Sequence, residues 1–128
     1  MSKILVVEDD PALRLVFERM LVAQKHDVTM AANGAAALRL LDTSSFDLVI
    51  TDLVMPEVEG LQLLRELRKR PLSPKVIAMS GGGRGSAKDY LEMASSFGAA
   101  ATLAKPFTQK ELAEAIARVL GTGDGRAT

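Results

Sequence analysis

The stretch ILVVEDDP, residues 4–11, contains a strand signal, a cluster of acids and the start of a helix. Ile4–Val7 is continuously apolar and rich in β-branched residues, which is typical of a strand buried on both faces. Asp10 followed by Pro11 indicates a helix N-cap and the first helical position. With the two acids before Asp10, the stretch holds three consecutive carboxylates, which repel one another and resist desolvation. It therefore predicts either a solvated acidic loop or the site of a bound cation.

The alternation of strand and helix signals continues along the chain. Short apolar runs predict strands at residues 4–7, 28–31, 48–50, 76–79 and 100–104. Helical patterns follow them at residues 13–21, 35–41, 61–67, 87–97 and 112–119. In the first helix, the apolar residues at helical spacing are Leu13, Val16, Phe17, Met20 and Leu21. Thr108 and Glu111 form a capping-box pattern before the last helix.

Strands that alternate with helices throughout a chain indicate an α/β fold with a parallel sheet. We expect a doubly wound five-stranded parallel sheet of order 2-1-3-4-5, covered on both faces by five helices. The 128 residues suit one domain, over residues 1–121, with a flexible tail at 122–128 that lacks packing residues.

The composition argues against several classes of protein. Sixteen basic and sixteen acidic residues cancel, which argues against binding to nucleic acid or to a membrane surface. The absence of cysteine excludes disulfides and thiolate metal sites, and the single histidine, His26, argues against a histidine metal centre or a Ser/His/Asp triad. We expect His26 on the surface near the second strand. No apolar stretch is long enough to span a membrane, and the start lacks a signal-peptide pattern, so we expect a cytoplasmic protein.

Polar residues follow the predicted strands at their carboxyl ends, where ligands bind in doubly wound sheets. Glu8 and Asp9 follow the first strand, Asp52 ends the third, Ser80 the fourth, and Lys105 lies near the end of the fifth. Oxygen ligands without histidine or cysteine suit Mg²⁺ or Mn²⁺, and the hydroxyl and ammonium groups suit the oxygens of an anion. A carboxylate can itself accept a phosphoryl group, so the set is compatible with phosphoryl transfer.

The fragments ILVVEDDP, DLVITDLVMPEVEG, VIAMSGG and LAKPF, in this order, resemble the receiver domain of bacterial two-component response regulators, of the single-domain chemotaxis type. The resemblance implies a flavodoxin-like fold and a phosphorylation-controlled switch. It implies that Asp52 accepts a phosphoryl group from a sensor histidine kinase or a histidine phosphotransfer protein. Ser80 would donate a hydrogen bond to the phosphoryl oxygens, and Lys105 would pair with them.

The resemblance also implies how the cation and the partners are bound. Asp9 and Asp52 would bind Mg²⁺ directly, Glu8 mainly through water, and Val54 through its backbone carbonyl. Such a domain is not an enzyme, beyond catalysing its own phosphorylation and dephosphorylation. Its output would be binding to a downstream protein, with the fourth helix, fifth strand and last helix as the docking or dimer face.

Two residues depart from the pattern of many receivers. Thr102 stands three positions before Lys105, where many receivers carry an aromatic residue that moves in the switch, so the aromatic half of that switch is in doubt. Val54 stands where a polar side chain can orient a hydrolytic water, which predicts slow self-dephosphorylation.

Two other functions are compatible with part of this pattern. A metal-dependent phosphohydrolase that forms an aspartyl-phosphate commonly needs a second acid two residues after the nucleophile, where Val54 stands here. An unphosphorylated receiver-like scaffold would usually have lost an acid or the lysine. This chain keeps the acids Glu8, Asp9 and Asp52 and the lysine Lys105. Asp10 is interpreted as a helix cap rather than as a metal ligand.

Overall fold

Five parallel strands form one sheet in the computed structural model of the chain, in which residues 2–52, 59–70, 74–81, 98–105 and 107–121 are described. The strands are β1 (Lys3–Val7), β2 (Asp27–Ala31), β3 (Leu48–Asp52), β4 (Lys75–Gly81) and β5 (Ala101–Lys105). They lie in the order β2-β1-β3-β4-β5, with every neighbouring pair parallel. The predicted α/β fold and its strand order are confirmed.

In the described residues, four helices connect or follow these strands. They are α1 (Pro11–Ala23), α2 (Gly34–Thr43), α3 (Glu59–Arg68) and α4 (Gln109–Leu120), the last of which is the predicted final helix. The helix predicted at 87–97 and the tail predicted at 122–128 lie outside the described residues. Within the part of the chain that the structure describes, none of the helices has the length and apolar character needed to cross a bilayer.

The continuous apolar run of β1 is explained by the layers on either side of the sheet. One face packs against α2 and α3, and the opposite face packs against α1 and α4. Successive side chains of a strand point to opposite faces, so Leu5 and Val7 belong to the first cluster and Ile4 and Val6 to the second. All four side chains are fully buried, which leaves only the ends of β1 available for a site.

Helix α1 packs on the sheet through a narrower stripe than the sequence predicts. Phe17 and Leu21 are buried, but Val16 is 50% exposed. Successive residues of an α-helix are about 100° apart around the axis, which takes Val16 off the face centred on Phe17. The helical spacing of Val16 is confirmed by α1, but Val16 does not belong to the buried stripe.

Helices α1 and α4 begin at the predicted caps. Asp10 precedes Pro11, and its carboxylate oxygen Oδ1 accepts a hydrogen bond of 2.9 Å from the backbone N–H of Ala12. At α4, the Thr108 hydroxyl accepts from the Glu111 N–H at 3.0 Å, and the Glu111 carboxylate accepts from the Thr108 N–H at 2.8 Å. These bonds satisfy backbone donors that the first turn of a helix leaves without partners.

Replacing the Asp10 cap should destabilise the fold without removing an acid of the predicted site. We expect Asp10→Ala to lower the free energy of unfolding by about 1 kcal/mol, because the first-turn donors of α1 lose their acceptor. Asp10→Asn retains a capping oxygen and should leave stability nearly unchanged. Urea denaturation followed by circular dichroism measures both, and an equal loss in the two variants would contradict the capping role.

Candidate functional site

The register of β1 and β3 brings two acids to one edge of the sheet. Val7 of β1 pairs with Thr51 of β3. The residue after Val7 is Glu8 and the last residue of β3 is Asp52, so both acids lie at the carboxyl ends of neighbouring strands. Strands β1 and β3 are neighbours because β2 lies on one side of β1 and the later strands lie on the other side. Acids 44 positions apart in the sequence are brought together in this way.

Glu8, Asp9 and Asp52 form a compact group of carboxylates, here called the acidic site. One carboxylate oxygen from each residue lies within 4.8 Å of those from the other two. Glu8 and Asp52 are only 1% and 5% exposed, whereas Asp9 is exposed. An all-oxygen donor set that is buried on one side and open on the other fits Mg²⁺, which takes a few carboxylates and keeps several waters.

The loop between β1 and α1 is held by hydrogen bonds to its backbone. The Glu8 N–H donates to the carbonyl of Ala31 in β2 at 3.0 Å, and the Asp10 N–H donates to the Glu8 carboxylate at 3.3 Å. From α1, Nη1 of Arg14 donates to the carbonyls of Glu8 and Asp9, at 2.9 and 3.2 Å. The backbone that carries two of the three acids is therefore tied to both neighbouring elements.

Arg14 has no place in the functional set predicted from the sequence. A signal was available, because a cation near the N-terminus of a helix is disfavoured by the helix dipole. Arg14 lies four positions after the N-cap Asp10, in a helix with no acid in its first turn. A basic residue at such a position indicates a local acceptor, but the sequence does not show that the acceptors are the carbonyls of Glu8 and Asp9.

The other predicted site residues are placed in part. Asp52 of β3 pairs with Met79 of β4, and Ser80 is the residue of β4 that follows Met79. Lys105 of β5 pairs with Gly81 of β4. The backbones of Ser80 and Lys105 thus reach the same edge of the sheet as the acidic site. Their side chains lie outside what the structure describes, as does the whole of Val54.

Thr102 and Phe107 lie on opposite faces of the sheet. Ala101 and Leu103 pack against the cluster on the α1 and α4 face, so Thr102 between them points to the other face. Phe107 packs against the α1 and α4 cluster, with its ring centroid 5.6 Å from that of Phe17. Phe107 therefore does not take the place of the aromatic residue that many receivers carry at the position of Thr102.

His26 lies far from the acidic site along the sheet. It precedes β2 at the amino end of that strand, whereas the acids lie at carboxyl ends. His26 lies beside the second strand as expected, but it is half-buried rather than on the open surface. Its Nδ1 atom is buried without a hydrogen-bond partner in the described residues. Burial disfavours the charged imidazolium and lowers the pKa of His26 below its usual 6.5.

Comparison with known proteins places the chain in a family. The sequence profile of the response regulator receiver domain matches residues 4–117. The chain is 37% identical over 125 residues to the sensor kinase CckA of Brucella abortus, covering 96% of this chain and 13% of the kinase. It is 36% identical over 120 residues to the transcriptional regulatory protein CpxR of Klebsiella pneumoniae, covering 94% of this chain and 50% of the regulator. The chain therefore spans half or less of these two relatives.

Solved structures agree with the sequence comparison. A response regulator receiver domain protein from Clostridium thermocellum superposes with a TM-score of 0.85 at 30% identity, covering 96% of this chain and 97% of that one. The receiver domain of the sensor histidine kinase PA1611 from Pseudomonas aeruginosa superposes with a TM-score of 0.83 at 29% identity, covering 94% and 98%. That receiver domain has a magnesium ion coordinated in its active-site cleft.

The lowered pKa of His26 predicts a pH-dependent stability. Because the folded state binds this proton more weakly than the unfolded state, stability should be unaffected well above pH ~6.5 and fall as pH drops below it. His26→Gln should lose this part of the pH dependence. Urea denaturation of both proteins at about pH 7.5 and about pH 5.5 measures the difference. An equal loss of stability in both proteins would show that His26 is not its source.

Proposed function

The chain belongs to the response regulator receiver domain family, and we propose that Asp52 is the residue that accepts its phosphoryl group. Receiver domains of this family are phosphorylation-controlled switches of two-component signalling, and they act as phospho-acceptors. The observation that carries the proposal for Asp52 is its convergence with Glu8 and Asp9 within 4.8 Å at the carboxyl ends of β1 and β3. No other position in the described chain combines a strand-end carboxylate with two further acids.

Within this proposal, Mg²⁺ is held directly by carboxylate oxygens of Asp9 and Asp52 and by the backbone carbonyl of Val54, and mainly through water by Glu8. Support comes from the oxygen-only donor set and from the related receiver domain that binds magnesium in its cleft. When bound, Mg²⁺ supplies positive charge that neutralises the carboxylates and the incoming phosphoryl oxygens.

The chain's own residues then provide the acceptor and its surroundings. A carboxylate oxygen of Asp52 bonds to phosphorus as the bond from phosphorus to the donor's histidine nitrogen breaks, which leaves an aspartyl-phosphate. Ser80 and Lys105, at the same edge of the sheet, are proposed to contact the phosphoryl oxygens as hydrogen-bond donor and cation.

The proposed partners are a sensor histidine kinase or a histidine phosphotransfer protein as donor, and a downstream protein as target. Relatives of the chain include a sensor kinase and a transcriptional regulator, each of which carries additional sequence beyond the shared part. The proposed docking or dimer surface combines the segment at 87–97, β5 and α4, and the proposed location is the cytoplasm. A phosphohydrolase is not favoured, because Val54 occupies the place of the second acid that such enzymes commonly use.

Phosphorylation of Asp52 is tested by intact mass after incubation with acetyl phosphate. We expect one phosphoryl adduct on the wild type in the presence of Mg²⁺, and none after chelation of the metal. Asp52→Asn keeps the size of the side chain but removes the acceptor charge, so it should carry no adduct. Asp42→Asn, which removes an exposed carboxylate on α2, is the matched control and should be phosphorylated normally. An adduct that persists in Asp52→Asn would assign the acceptor elsewhere.

The side chain at position 54 should control how long the phosphoryl group remains. We expect slow self-dephosphorylation in the wild type, because an apolar valine cannot orient a water for attack on the acyl phosphate. Val54→Asn introduces a polar side chain and should shorten the phosphorylated lifetime several-fold. The decay of the phosphoryl adduct after removal of acetyl phosphate measures this lifetime, and an unchanged lifetime would contradict the role of Val54.

A further inference from the structure

We propose that Arg14 is a positioning residue for the metal at the acidic site, an inference that rests on the proposed function. Its guanidinium contacts neither the metal nor the phosphoryl group in this proposal. It acts through the backbone of Glu8 and Asp9, whose carboxylates it holds in the arrangement that converges with Asp52.

The hydrogen-bond geometry is specific to the segment that carries the acids. A single nitrogen, Nη1 of Arg14, donates to two consecutive carbonyls, those of Glu8 at 2.9 Å and Asp9 at 3.2 Å. These two carbonyls belong to the peptide groups on either side of the Asp9 Cα, so a donor shared by them fixes the orientation of both groups. The Asp9 side chain leaves the backbone between these groups, and the first of them also follows Glu8, so the contact constrains the directions of both carboxylates.

Arg14 is attached to a rigid part of the molecule. Its backbone N–H donates to the carbonyl of Asp10 at 2.9 Å, in the first turn of α1. The same helix is anchored in the core by Phe17 and Leu21, which are 3% and 0% exposed. The guanidinium therefore transmits the fixed position of α1 to the loop, which is tied to β2 on its other side by the Glu8 N–H.

The charge of Arg14 and its hydrogen bonds have opposite effects on cation binding. A positive charge beside three carboxylates repels Mg²⁺, so a purely electrostatic Arg14 would weaken metal binding. A guanidinium that orders the ligands in advance strengthens binding, because less ordering remains to be done when the metal arrives. A variant without the side chain therefore binds the metal more weakly if ordering of the ligands dominates, and more tightly if charge repulsion dominates.

The test is titration of the metal-free protein with Mn²⁺, which is followed by electron paramagnetic resonance. Arg14→Met removes the donor and the charge but keeps an unbranched apolar side chain. We expect it to raise the Kd for Mn²⁺ about tenfold, as loss of an outer-shell partner typically does. Arg19→Met removes the same charge from an exposed position of α1 and should bind Mn²⁺ as the wild type does.

A second readout separates positioning of the metal from damage to the acceptor. In acetyl phosphate labelling, Arg14→Met should need about tenfold more Mg²⁺ for half-maximal rate but reach the wild-type rate at saturation. Thermal unfolding without metal reports whether the variant folds. If Arg14→Met does not fold, Arg14→Lys replaces it, since lysine keeps the charge but loses the guanidinium, and it too should raise the Kd.

Three other results of these experiments would each contradict one part of the proposal. Mn²⁺ binding by folded Arg14→Met, or by its lysine substitute, that equals or exceeds that of the wild type would overturn the positioning role alone. A wild type that neither binds Mn²⁺ saturably nor becomes phosphorylated would overturn the proposed function itself. An equal loss of affinity in Arg19→Met would show that the effect is not specific to Arg14 and would also overturn its role, because loss of a positive charge alone should strengthen cation binding.

Discussion

The arrangement of this protein depends on holding nearly buried carboxylates close together at one edge of a sheet. Glu8 and Asp52 are 1% and 5% exposed, and with Asp9 they place carboxylate oxygens within 4.8 Å of one another. Such charges are costly to desolvate and repel one another, so the fold must position them by stronger constraints. The constraints are the parallel pairing of β1 with β3, the cap of α1, and the hydrogen bonds from Arg14 to the loop carbonyls.

The same sheet separates the rigid core from the edge at which chemistry is proposed. Four consecutive residues of β1 are fully buried, two on each face, because helices cover both faces. Parallel sheets need this double cover, and it leaves the carboxyl ends of the strands as the accessible edge.

The α1 and α4 face also bears on how a phosphorylated state could be transmitted. Phe107 follows Lys105 and Pro106 in the sequence, and its ring packs against Phe17 of α1. Thr102 faces the other side of the sheet, so the two positions cannot exchange roles by a simple side-chain rotation. Position 102 therefore offers no aromatic side chain to a switch, and Phe107 links the chain beyond β5 to α1.

The alternation of strands and helices, the strand order, the caps at Asp10 and Thr108, and the convergence of Glu8, Asp9 and Asp52 could all be predicted from the sequence. These features are predicted by residue types that recur with a regular period, or that stand at a fixed distance from the end of a strand or the start of a helix. The family resemblance then linked the acids to phosphoryl transfer, and the comparison with known proteins confirmed the family.

Only the tertiary structure decided the exposure of Val16, the partial burial of His26 and the contacts of Arg14 with the loop. Each of these depends on how far an element is rotated or displaced against its neighbours, which small changes in packing decide. The acceptors of Arg14 are backbone carbonyls, which every residue possesses, so no residue type in the sequence marks them. Residue types therefore determined which groups could form the site, and packing determined how those groups are held.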